Sequence, residues 1–105
     1  MITTTTHNID GKPVQQYLGI VSSESIIGAN ILKDLFAGIR DIVGGRSHTY
    51  ERVIDEARTN AMAELIQKAQ AIGANAIIGI DLDFETVGAG GSMLMVIATG
   101  TAVRV

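Results

Sequence analysis

Residues 93–105 read Met93-Leu94-Met95-Val96-Ile97-Ala98-Thr99-Gly100-Thr101-Ala102-Val103-Arg104-Val105. The alternation predicts one long strand, because successive side chains of a strand point to opposite faces. One face carries Met93, Met95, Ile97, Thr99, Thr101 and Val103. The other carries Leu94 and Val96, then Ala98, Gly100 and Ala102. Such small side chains let a helix approach closely. This strand therefore asks for a helical layer on its small-residue face, which is the start of an α+β fold.

Working backwards, Gly88-Ala89-Gly90-Gly91 within 86–92 predicts a flexible hairpin loop. Before it, 76–85 alternates. Ala76, Ile78, Ile80, Leu82 and Phe84 are expected on one face. Asp81, Asp83 and Glu85 are expected on the other, preceded by Ile77 and Gly79. A helix of roughly 35 Å is expected over 49–72, ending at Gly73. Its main apolar stripe is Tyr50, Ile54, Ala57, Ala61, Leu65 and Ile72, and a second stripe holds Met62, Ile66 and Ala69. A small monomer needs only the first stripe, so the second suggests a further partner.

A first helix is expected over 31–43, with Asn30 as its N-cap and Gly44 as its C-cap. Its apolar residues Ile31, Leu32, Leu35, Phe36, Ile39, Ile42 and Val43 fall on one arc. Residues 22–29 read as a connection. A strand is expected over 14–22, where Gly19 suggests a bulge or a close neighbour. Asp10-Gly11-Lys12-Pro13 is turn chemistry, and 2–6 is β-branched enough for a short strand. The order is β-β-α-α-β-β. It predicts a single domain over 1–105, with a mixed or antiparallel sheet and both helices on one face.

Composition narrows the function. The chain has 105 residues, 47% hydrophobic and 18% charged, which suits one globular domain with one core. Its aromatics are Tyr17, Phe36, Tyr50 and Phe84. The core must therefore be built from aliphatic and small side chains. Net charge is −3 and the basic residues are scattered, so no nucleic-acid partner is expected. There is no cysteine, which excludes disulfides, zinc fingers and thiolate chemistry. The Thr-rich start has neither a basic nor an apolar signal region, and no apolar run approaches the ~20 residues of a membrane span. No membrane partner and a cytoplasmic location are the resulting expectations.

Three clusters could carry chemistry. Gly44-Gly45-Arg46-Ser47-His48-Thr49-Tyr50-Glu51 lies between the two helical patterns. Its amides and Arg46 could cradle an anion at a helix N-terminus. Alternatively Gly44 ends one helix, Gly45 permits the turn, and Ser47 or Thr49 caps the next. Gly44, Gly45, Arg46, Ser47 and Tyr50 would then be subunit-interface residues. The spacing of a nucleotide P-loop is absent. The second cluster is the acidic stripe Asp81, Asp83 and Glu85. Carboxylates suit a hard divalent metal ion, but same-face residues of one strand stand ~6.6–6.8 Å apart. Ligands would have to converge from a second strand or subunit. The plain alternative is a solvated sheet face whose charges discourage aggregation. The third is His48 with Glu51, at i,i+3 on one helix face, offering two ligands. His7 and the pair Met93 and Met95 are the only softer donors of note, and methionine at such spacing is more often filler. Catalysis by His48 on Ser47 or Tyr50 lacks an orienting carboxylate, so no enzyme is expected.

Several segments together resemble the YbjQ family of small bacterial proteins. They are Gly28-Ala29-Asn30-Ile31, Arg40-Asp41-Ile42-Val43-Gly44-Gly45-Arg46-Ser47 and Tyr50-Glu51, then Gly73-Ala74-Asn75-Ala76-Ile77-Ile78-Gly79-Ile80-Asp81 and Gly91-Ser92-Met93-Leu94-Met95-Val96. The resemblance covers nearly the whole chain. It implies a fold like that of dodecin subunits, assembly as a homopentamer and a label of heavy-metal binding without an established activity. Soft metals prefer thiolate, thioether and imidazole. A metal role thus rests on the resemblance more than on the residues present.

Overall fold

The structure of the protein is a computed structural model. It describes residues 1–31, 42–43 and 46–105, with side chains for 1–31 and 51–105. Strands β1 (Ile2–Thr3), β2 (Gln16–Ile27), β5 (Ala76–Val87) and β6 (Met93–Arg104) form one sheet in the order β1-β5-β6-β2. β6 is antiparallel to both neighbours, whereas β1 is parallel to β5, so the sheet is mixed. A 3-10 turn, Ala89–Gly91, joins β5 to β6. The long helix, His48–Ala71, lies across one face. Residues 29–31 are helical as well.

The small-residue face of β6 meets the helix as its composition demands. Ala98 and Ala102 are fully buried against a core that includes Ala57, Ala61, Leu65 and Ala69. Those four helical positions repeat every fourth residue, so they form one ridge. Ala69 belongs to this ridge rather than to a second stripe, and Ile72 lies beyond the helix end in solvent. Met62 and Ile66 are half-buried against the same core. A β-carbon on Gly100 would stand 2.6 Å from Ile77 Cγ2 and 3.2 Å from Ile80 Cγ1. Glycine there is what lets both isoleucines reach the helical layer.

Polar groups fasten the layers. The Ser23 hydroxyl, fully inside, donates to the Ala61 carbonyl, and Lys68 Nζ donates to the Ser22 carbonyl at 2.7 Å. The helix stops where Gly73 takes φ +90°, with Ala74 N–H bonded back to the Ala69 carbonyl. That is the left-handed C-terminal cap glycine allows.

Several sequence expectations need correction. β2 runs to Ile27, through residues read as a connection, because Ser23 finds a hydrogen-bond partner inside. Asn30 sits within a helical stretch that already includes Ala29, so it is not the N-cap. Ile42–Val43 is a short strand, β3, paired antiparallel with β4, Arg46–Ser47. The expected helix therefore does not run to a C-cap at Gly44. The two segments form a β-ladder instead of a helix-to-helix junction. The rest of that helix, Gly44 and Gly45 lie outside the described residues. Thr49 lies inside the long helix and cannot cap it.

The largest correction concerns β5. Ile78 pairs with Thr101 and Asp81 with Thr99, so two residues, Gly79 and Ile80, oppose the single Gly100. This is a β-bulge with Gly79 at φ +61°. It reverses the alternation midway. Ala76 and Ile78 face away from the helix, while Ile77, Ile80 and Leu82 face it.

Candidate functional site

The bulge divides β5 into unlike halves. In the first, the N-terminal segment closes the sheet edge. Thr4 N–H donates to the Ile77 carbonyl, Ile80 N–H to the Thr4 carbonyl and Gly79 N–H to the Thr6 carbonyl. Ile2, Ile9 and Val14 then cover Ala76, Ile78 and Val103 on the face away from the helix. His7 is exposed, its ring 3.5 Å from where a β-carbon on Gly79 would stand.

Beyond the bulge, among the described residues, nothing pairs with the outer edge of β5 over 81–87. Asp81, Asp83 and Glu85 share the face away from the helix, as expected, opposite Thr99, Ile97 and Met95 of β6. All three are exposed. A side-chain hydrogen bond with Asp81 holds the Asp83 carboxyl above its ordinary value of 3.8. Repulsion from the Asp81 charge adds to this, with smaller effects of partial desolvation and of Glu85.

The apolar content of this half is also exposed. Phe84, on the helix side opposite Val96, is 45% exposed. Next to it an open groove of about 300 Å³ is lined by Thr3, Thr4, Thr5, Met62, Ile80 and Leu82. On the far face Met93, Met95 and Ile97 are half-buried in line with Ile26, which is 55% exposed.

The other sheet edge is β2, a 12-residue strand. Among the described residues its outer edge has no partner. Tyr17 is 70% and Ile20 84% exposed. A bulge at Leu18, between Tyr17 and Gly19, is the one anticipated from Gly19.

The remaining candidates fall around the start of the long helix. His48, Tyr50 and Glu51 lie in its first turn, and Arg46 and Ser47 form the strand before it. The side chains of 46–50 lie outside the described ones. Glu51 is half-buried. Among the described residues no group of three His, Asp or Glu side chains could hold a metal ion. Among the described residues, the acidic stripe and Glu51 therefore do not merge into one centre. Sequence reasoning missed the groove and the free edge of β5, although Gly79 in mid-strand was the available signal. Among the described residues, no helix is long and apolar enough to cross a membrane.

Two comparisons bear on these features. A family model described as "Putative heavy-metal-binding" matches residues 1–105. The chain is also similar to a solved structure of a protein of unknown function from Pediococcus pentosaceus, assigned to the DUF74 family. That likeness has a TM-score of 0.66 at 21% identity and covers 100% of this chain and 97% of the other. It supports the α+β fold with a four-stranded mixed sheet and two helices.

Proposed function

Because the chain belongs to the YbjQ family, we propose that it works as a homo-oligomeric binding module for a divalent cation. In this reading it is a dodecin-like subunit of a cytoplasmic ring, with a pentamer as the expected size. The observation that carries the reading is β2. A long edge unpaired among the described residues, with Tyr17 and Ile20 exposed, is a surface that folded proteins normally cover. Gly44, Gly45, Arg46, Ser47 and Tyr50 are the proposed second contact, on the strength of their sequence alone.

Assembly bears on the cation. The described residues of one chain offer no group of three ligands, and a ring repeats Asp81, Asp83 and Glu85 around its axis. Oxygen donors favour Ca²⁺, Mg²⁺ or Mn²⁺ over soft metals. The His48 and Glu51 pair is the lesser candidate. The reading assigns no reaction to the chain. Calorimetric titration of metal-free protein with Ca²⁺, Mn²⁺, Zn²⁺, Cu²⁺ and Ni²⁺ tests it. Saturable binding of a hard ion, weakened by Asp81→Asn, is expected, and no saturable binding by any ion would remove the cation. The second reading, an assembly without ligand, is favoured by the lack of a three-ligand group among the described residues.

A further inference from the structure

We propose that the free edge of β5, over 81–87, takes up an extended segment of another protein in which basic and apolar residues alternate. It rests on the preceding idea that the stripe draws positive charge, but not on a metal and not on assembly.

Three features of this edge point to the same occupant. The first is the backbone. β1 and the residues just after it protect β5 only as far as Ile80, and among the described residues the groups beyond it face no strand. Adding a strand is the ordinary way to satisfy such an edge. The second is alternation along the edge itself. Asp81, Asp83 and Glu85 point to one face, and Leu82 and Phe84 to the other. A strand laid alongside places its own side chains on the same two faces, next to these rows. Its outward row therefore meets three carboxylates, and its inward row meets Leu82, the exposed Phe84 ring and the groove beside Met62 and Ile80. The third is unrelieved charge. Among the described residues no Lys or Arg stands on this face of β2, β5 or β6. Lysine or arginine at every second position would supply what the stripe lacks. The segment needs to span about 20 Å, the length of six or seven extended residues.

The chain's own long strand, β2, fits the edge poorly. It carries Ile20, Ser22, Glu24 and Ile26 on the corresponding face. Pairing it with β5 would add Glu24 to the three acids and bring no cation.

The test is fluorescence anisotropy with a short labelled peptide alternating lysine and valine, titrated with the full chain at low salt. Saturable binding is expected. Asp81→Asn, Asp83→Asn and Glu85→Gln together should weaken it about tenfold, since each exposed ion pair is worth only a few-fold. N-methylation of alternate peptide amides on the pairing side should abolish it. A peptide of the same composition with lysines and valines in separate blocks should bind at least about tenfold more weakly. Equal binding of the blocked or N-methylated peptide would reduce the effect to bulk charge and overturn the proposal. No saturable binding would also overturn it, and a fall in the protein's mass in the triple variant would then assign the edge to a second copy. Failed peptide binding by a protein that still assembles and takes up a cation removes this inference alone. Peptide binding by a monomer that binds no metal removes the preceding reading and keeps this one.

Discussion

The two halves of β5, Ala76-Ile77-Ile78 before the glycine and the alternating acidic and apolar residues after it, end up in opposite situations. Before Gly79 the strand is buried on both faces and its edge is paired. After it, one face is acidic and exposed, the other is only partly covered, and among the described residues the edge is open. One inserted residue separates them. The bulge lets Ile77 and Ile80 both straddle Gly100 and turn inward, which releases the strand to present Asp81, Asp83 and Glu85 outward. The first half serves stability and the second is left available for contact.

Substitutions can break this contrast. Ile78→Ala, in the doubly covered half, should cost about 2–4 kcal/mol, read as a lower urea midpoint with unchanged slope. Gly100→Ala should cost about 1–3 kcal/mol, because the new methyl meets Ile77 and Ile80 at closer than contact distance. If that change were harmless, the bulge would not be the tight junction described. Ser23→Ala, which removes the buried hydroxyl's bond to the Ala61 carbonyl, should cost about 1 kcal/mol in the same assay. Beyond the bulge the effects should nearly vanish. Phe84→Ala, with the ring already 45% exposed, should cost no more than about 1 kcal/mol.

Asp83→Asn should be the smallest, and of opposite sign. The folded carboxyl sits above 3.8, so the folded state holds the proton more tightly than the unfolded one. That favours folding below 3.8 and is lost as pH rises through the raised value. The asparagine variant should therefore match or slightly exceed the parent's melting temperature at neutral pH, and lose that advantage in acid. A clear drop at neutral pH would mean that the stripe supports the fold.

Much of this was legible in advance. The faces of β6, the long helix and its glycine stop follow from periodicity and capping, which act locally. The acidic stripe was also legible, since the parity of 81, 83 and 85 does not depend on what precedes them. The bulge was not, because whether Gly79 bends a strand depends on Gly100 and Thr4, neither of them near in sequence. The second half of β2, beyond Ser22, was illegible for the same reason. Serine-rich sequence reads as a loop until a helix carbonyl is placed against Ser23. Residues 42–47 read as a helix end because Gly44 follows an apolar run, yet Ile42 and Val43 pair with Ser47 and Arg46.

The central claim is that the edge of β2, unpaired among the described residues, is covered by another copy of the chain. Light scattering in solution tests it most directly, on the parent and on Ile20→Asp, a residue 84% exposed in the single chain. The expected result is a parent mass several times 11.1 kDa, near that of a pentamer, and a smaller species for the variant. A parent that runs at 11.1 kDa across the concentration range would contradict it.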